Sequence, residues 1–398
     1  MTQWGMAFWR LRARTLVSLA APLTLLMACS SGPHPASATP SSETSASAST
    51  SVPAAPVAQA CGDPAAMLGA MSTRDKLAQL LMVGVTGADD ARAVVTDQHV
   101  GGIFIGSWTD LSMLSDGSLT DIVGSAGPLP LAVSVDEEGG RVERLSKLIG
   151  SQASPRVLAQ TQTPDQVYAI ALERGRKIRQ LGITVDFAPV VDVTTEPDDE
   201  VIGDRSFGSD PAVVTEYAGA YARGLRDAGL LPVLKHFPGH GHGSGDSHTG
   251  GVVTPPLADL QTDDLIPYRT LTTQAPVAVM VGHLQVPGLT AGSDPASLSP
   301  EAVALLRGGG YGGPPFNGPV FSDDLSSMAA INAHYGVAEA VLKSLQAGVD
   351  VALWVTTDEV PAVLDRLEKA VAAGELNMHA VDSSVLRVAA MKGPNPRC

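Results

Sequence analysis

Aromatic residues are scarce, at 4 % of the 398 positions, so stacking platforms for flat ligands must be few. Positive charge is also short: 26 Lys and Arg stand against 41 Asp and Glu, a net charge of −15. That balance argues against nucleic acid as a partner. An apolar run, Leu16 to Ala28, is broken only by Ser18, Pro22 and Thr24. At about a dozen residues it suits a signal h-region and falls short of the ~20 needed to span a bilayer. Cysteine is nearly absent: Cys29, Cys61 and Cys398 are the full set.

The two ends carry the first positive information. Arg10, Arg12 and Arg14 precede the apolar run as a basic n-region, and their removal makes the mature chain more acidic still. The run closes on Leu26-Met27-Ala28-Cys29, which resembles a bacterial lipobox, with Cys29 diacylated as the mature N-terminus. Ordinary secretion with cleavage nearby is the alternative. Residues 1–28 are thus expected to be a lipoprotein signal peptide, and the chain to sit on the outer face of the cell membrane. Residues 29–60 are mostly Ser, Thr, Ala, Pro and Val. Such a stretch buries too little apolar surface to offset its ordering entropy and is expected to be a flexible tether. Residues 61–398 have the length of one large α/β barrel. Cys61 and Cys398 flank that segment. In an oxidising compartment, with first and last elements adjacent in a closed barrel, they are expected to form a disulfide; two free thiols are the alternative.

Eight short apolar runs recur: Leu81–Val85, Gly102–Ile105, Leu131–Val135, Thr184–Phe187, Pro232–Leu234, Val277–Val281, Pro319–Phe321 and Val349–Leu353. Near-continuous apolar runs mark parallel strands buried on both faces. Between them lie amphipathic stretches. In one, Val214, Tyr217, Ala218, Tyr221 and Leu225 share a helical face; Asp165–Leu181 and Gly336–Ala347 read similarly. The alternation predicts a (β/α)8 barrel, an open doubly wound sheet being the other arrangement compatible with it. Polar residues cluster directly after the runs: Asp136 to Arg141, Lys235-His236, His283 and Asp323-Asp324. Barrel enzymes build active sites at these carboxyl ends.

Two segments carry chemistry. Lys235-His236-Phe237-Pro238-Gly239-His240-Gly241-His242-Gly243-Ser244-Gly245-Asp246-Ser247-His248 leaves a buried strand, and five glycines between 239 and 250 permit positive φ and close approach to a ligand. Asp246 and His248 lie two apart, so in an extended segment they project to one side, and a carboxylate beside an imidazole makes a general acid/base pair. A metal site built from His236, His240, His242, His248 and Asp246 is the rival reading, although the spacing matches no standard helical zinc motif. In Val320-Phe321-Ser322-Asp323-Asp324-Leu325 an apolar strand ends in two carboxylates. Either could cap a helix starting near Leu325; a glycosidase, however, needs a carboxylate beneath the anomeric carbon. Asp323 is read as catalytic and Asp324 as capping or orienting. His283 is more readily a satisfied buried histidine than a catalyst.

Together these segments resemble the signature of family 3 glycoside hydrolases of the bacterial β-N-acetylglucosaminidase branch. Supporting stretches are Val135 to Arg144, Gly203-Asp204-Arg205-Ser206-Phe207-Gly208 and Pro295 to Pro300. The resemblance implies a retaining exo-β-N-acetylglucosaminidase acting on N-acetylglucosamine-containing glycans or muropeptides. Asp323 would be the nucleophile, His248 with Asp246 the acid/base, and Asp136, Arg144, Arg205, Lys235 and His236 the sugar-binding set. Arg144 and Arg205 as surface ion-pair partners are the bland alternative. Neither metal nor organic cofactor is implied, and a monomer is expected. Many members carry a second α/β sandwich domain, for which this chain has no length left. Three alternatives stay open: a metal-dependent hydrolase, a related family 3 enzyme of other sugar specificity or a phosphorylase, and a non-catalytic sugar-binding lipoprotein. The glycine-rich loop is expected to be mobile and to close over substrate.

Overall fold

The computed structural model describes residues 57–398. The signal peptide, Cys29 and nearly all of the tether lie outside the described residues. Ala60 is already packed on the domain: it is 2 % exposed, and its N–H donates to the Pro128 carbonyl at 3.1 Å.

All eight apolar runs become strands: β1 Leu81–Val85, β2 Gly102–Ile105, β3 Ala132–Val135, β4 Val185–Asp186, β5 Leu231–Phe237, β6 Ala278–Val281, β7 Val320–Ser322 and β8 Ala352–Trp354. Every residue in them is buried, as a sheet covered on both faces requires. They pair in parallel in the order β7-β6-β5-β4-β3-β2-β1-β8. Closure comes from a parallel bridge between Phe321 and Val351, with Ser322 N–H donating to Val351 O at 3.0 Å. The sheet is therefore a (β/α)8 barrel, and the open-sheet alternative falls. Phe104, Phe187 and Phe321 meet in its interior, with ring centroids 5.8 and 5.5 Å apart.

Helices α1 Ala88–Gln98, α2 Ser118–Gly124, α3 Pro164–Gln180, α4 Pro211–Asp227, α5 Ile266–Leu271, α6 Pro300–Arg307 and α7 Val337–Ala347 follow β1 to β7 in turn. Then α8 Val360–Ala372 and α9 Met378–Lys392 complete the chain. Proline at the first turn and a Thr or Asp cap fix the starts of α3 and α4. These two pack closely because Gly224 carries no side chain: a β-carbon there would lie 2.6 Å from the Tyr168 carbonyl. The ends of the domain are fastened by a Cys61–Cys398 disulfide with Cα atoms 5.8 Å apart, within the usual range.

Two local expectations need correction. Strand β5 does not stop at Leu234; it continues through Lys235, His236 and Phe237, so the first two site residues sit on the barrel wall. No helix starts near Leu325. Asp324 instead caps a turn, accepting from Ser326 N–H and Oγ, each at 2.8 Å, and from Ser327 N–H at 3.1 Å; the next helical turn begins at Ala329.

Candidate active site

A cavity of about 400 Å³ opens at the carboxyl ends of the strands. It brings together every residue assigned from sequence to catalysis or sugar binding: Asp136, Arg144, Arg205, Lys235, His236, Asp246, His248 and Asp323.

Its floor is an ion network on strand ends. Lys235 Nζ lies 2.7 Å from Asp136 Oδ1 and 2.5 Å from Glu138 Oε1. Arg205 grips the same Glu138 with both arms, Nε to Oε2 at 2.8 Å and Nη2 to Oε1 at 2.9 Å. Burial alone would raise the Glu138 carboxyl; the two cations outweigh it and hold it well below the usual range. The carboxylates correspondingly raise Lys235 against its own burial. Arg205, its side chain 14 % exposed, is thus a largely enclosed partner in this network, which removes the surface ion-pair alternative. Arg144 stands 4.0 Å from Asp136 Oδ2 and is a quarter exposed. Asp204 pairs with Arg141 at 2.9 Å, away from the floor.

Backbone geometry makes the network possible. Asp136 to Glu143 form a tight hairpin in which Gly139 and Gly140 take φ values of 94° and 60°. That left-handed conformation favours glycine. A β-carbon at Gly139 would also sit 2.7 Å from the Ala153 carbonyl. The hairpin aims Glu138 inward while Glu137 turns away, accepting from Arg144 and Leu145 N–H and pairing with Arg174.

His236 is set by Asp192, which was not foreseen as a site residue. Asp192 Oδ2 meets His236 Nδ1 at 2.7 Å, and its other oxygen accepts from His240 N–H at 2.8 Å. Burial would raise Asp192, but His236 and His240 hold it low. With Nδ1 engaged, His236 presents Nε2 for other contacts. Glu138 and Asp192 sit in the apolar-acidic runs Val133 to Glu138 and Val190 to Asp192; that pattern was the available signal for them.

Asp323 follows β7 and is 9 % exposed. Burial pushes its carboxyl up, but His283, His236, the Asp324 N–H and Lys235 together hold it below the ordinary aspartate value. The group is an anion at the bottom of a cavity. His283 does not line that cavity. It is buried behind it, Nδ1 against Ser297 Oγ and Nε2 against the Asp324 carbonyl, both at 2.7 Å.

The Asp246–His248 pair sits at the rim. His248 Nδ1 and N–H both engage Asp246 Oδ1, at 2.7 and 2.9 Å, and the His248 side chain is 60 % exposed. Burial would raise the Asp246 carboxyl, but its bonds to His248 lower it. The loop is tied down around this dyad. Ser244 N–H bonds the Val253 carbonyl at 2.9 Å, and Ala330 N–H bonds the Ser247 carbonyl at 3.1 Å, linking the loop to the segment after Asp323. Its first glycines pack against protein: a β-carbon at Gly241 would fall 1.9 Å from the Val193 carbonyl. The expected close approach to ligand is therefore not their use.

The rival metal set does not assemble. His236 is bonded to Asp192, His248 to Asp246 and His242 to Asp264, so three of the four histidine rings are engaged by separate carboxylates. Among the described residues, His242, Asp263 and Asp264 are the group closest to metal-binding spacing, and none of them lines the cavity.

A buried carboxylate anion beneath a sugar-sized cavity, cations and carboxylates on its walls and a His–Asp pair at its rim are the parts a glycosidase needs. The sequence profile of the glycosyl hydrolase family 3 N-terminal domain matches residues 72–391. This chain belongs to glycosyl hydrolase family 3. A β-hexosaminidase of Mycobacterium tuberculosis, LpqI, is 69 % identical over 97 % of this chain and 98 % of its own length. A crystal structure of a family 3 glycosyl hydrolase from Mycobacterium smegmatis is 76 % identical, with a TM-score of 0.82 over 82 % of this chain and 99 % of that one. A family 3 β-N-acetylglucosaminidase from Paenibacillus is 33 % identical, with a TM-score of 0.75 over 81 % of this chain and 62 % of that one. Within family 3, the chain is a glycoside hydrolase of the β-hexosaminidase type.

Proposed function

We propose that this family 3 enzyme is a retaining exo-β-N-acetylglucosaminidase that removes terminal N-acetylglucosamine from peptidoglycan fragments. The observation carrying the reading is the low-lying carboxylate of Asp323 in the same cavity as the Asp246–His248 dyad. Asp136, Lys235, Arg144, Arg205 and His236 hold the hydroxyls of the terminal sugar. Asp323 attacks the anomeric carbon, the glycosidic C–O bond breaks, and protonated His248 gives its Nε2 proton to the leaving oxygen. Neutral His248 then takes a proton from water, whose oxygen displaces Asp323 from the anomeric carbon. Asp246 keeps the imidazole in the Nδ1–H tautomer and stabilises its charged form. An imidazole suits both steps, because one ring nitrogen can give a proton and then take one back while the other stays on Asp246. Any closure over bound sugar is confined to the short stretch between the ties at Ser244 and Ser247.

The enzyme is exported and anchored through diacylated Cys29 to the outer face of the membrane, and works there without nucleic acid or a bound cofactor. The tether joins the domain beside Pro128, ahead of β3, whereas the site lies beyond the carboxyl ends of the strands. The chain therefore enters the domain at the end of the barrel opposite the mouth.

Trapping tests the mechanism. A slow 5-fluoro N-acetylglucosaminyl substrate is expected to add one sugar mass to the protein, on the peptide holding Asp323. Label on another carboxylate, or turnover with no covalent species under any trapping condition, would overturn it.

A further inference from the structure

The catalytic cavity has a neighbour. A second cavity of about 420 Å³ lies between the ends of β1 and β8 and is walled by Thr86, Thr356, Thr357 and Asp358. Trp108 and Val355 line both cavities and so form the partition between them. Trp108 is 45 % exposed, in a chain with only four tryptophans.

An exposed indole at a site mouth needs a physical reason, because leaving so large an apolar face in water forgoes its burial. Its pose is fixed by its surroundings. The ring packs directly on the Gly106 backbone, where a β-carbon would come within 2.4 Å of it. Phe104 meets it edge-on, with centroids 6.0 Å apart. The turn itself is pinned by Thr109, whose Oγ accepts from Gly106 N–H at 3.0 Å and donates to the Val85 carbonyl at 2.6 Å. This is a preorganised apolar platform, and its open side spans the way from one cavity to the next.

We infer that Trp108 is the platform for the aglycone, carrying the apolar face of a second pyranose ring, and that the adjoining cavity takes that ring's substituents. The assignment rests on the proposed glycosidase reading and specifies its substrate. Hydroxyls of Thr86, Thr356 and Thr357 suit hydroxyl and amide groups. Asp90 and Asp358 line the same cavity and no Lys or Arg does, so the subsite disfavours a free carboxylate there. A lactyl group capped as an amide by peptide fits this chemistry better than an uncapped lactate.

The test compares two substrates that share the terminal sugar. One is a β-1,4-linked N-acetylglucosaminyl disaccharide; the other is N-acetylglucosaminyl fluoride, whose leaving group has no ring. Trp108→Ala is expected to lower kcat/KM for the disaccharide about tenfold, mainly through KM, and to leave the fluoride within about twofold. Trp108→Phe is expected to recover most of the loss. Equal falls on both substrates, or no fall on either, would overturn the subsite. A wild type inactive on both would instead overturn the glycosidase reading itself, and this inference with it.

Discussion

The mouth of the barrel holds charged groups of two kinds. On its floor, Asp136, Glu138, Lys235 and Arg205 are mutually paired on strand β5, on the hairpin after β3 and in the loop before α4, and the Lys235 side chain is 3 % exposed. At its rim, Asp246 and His248 pair with each other on a glycine-rich loop, the imidazole mostly in water. The difference suits the tasks proposed for them. Groups that recognise hydroxyls in the ground state gain from rigidity, since each bond they make is then already oriented. A group that trades protons with a leaving oxygen and then with water must meet two partners in succession, and an exposed loop allows that.

The contrast predicts that rim variants lose rate with little loss of stability, while floor variants lose both. The largest effect is expected from Asp323→Ala, with kcat reduced by about 10⁴-fold or more and partial rescue by azide. His248→Ala is expected to lower kcat by roughly 10²–10⁴-fold without changing Tm, because the side chain is mostly exposed. Chromogenic β-N-acetylglucosaminide kinetics beside thermal melts check both; wild-type turnover in either variant would break the assignment. Glu138→Ala is expected to cost about 3–5 kcal/mol of stability, since it strands buried Lys235 and largely enclosed Arg205, and to raise KM as well. An unchanged melting curve would show that the floor is not a structural network. The smallest effect is a pH shift. Lys235 is among the groups holding the Asp323 carboxyl low, so Lys235→Met raises the pH at which that carboxylate takes up a proton. Because the nucleophile acts ionised, the acid limb of kcat/KM in that weakened variant is expected to move to higher pH; no movement would sink the claim.

Much of this was legible in the chain. The eight strands could be read because a parallel strand buried on both faces must be apolar along its whole length, and the ladder of runs needs no distant partner to be seen. Asp323, Asp246 and His248 could be singled out as cavity residues because local spacing and motif both mark them. Glu138 and Asp192 were visible only as letters: the roles of these carboxylates depend on Lys235, Arg205 and His236, which lie far along the chain. The end of β5 was misjudged because Lys235 and His236 break the apolar run, although the barrel buries them by pairing them.

Sequence by itself therefore determined the elements, the family and the candidate residues for catalysis, since each is written in short-range pattern. Only the tertiary structure decided that the barrel closes, that Cys61 meets Cys398, that Arg205 belongs to the floor and that Trp108 stands between two cavities. Those facts depend on groups brought together across the barrel, and the folding that does so gains from buried area and ion pairing that no local window contains.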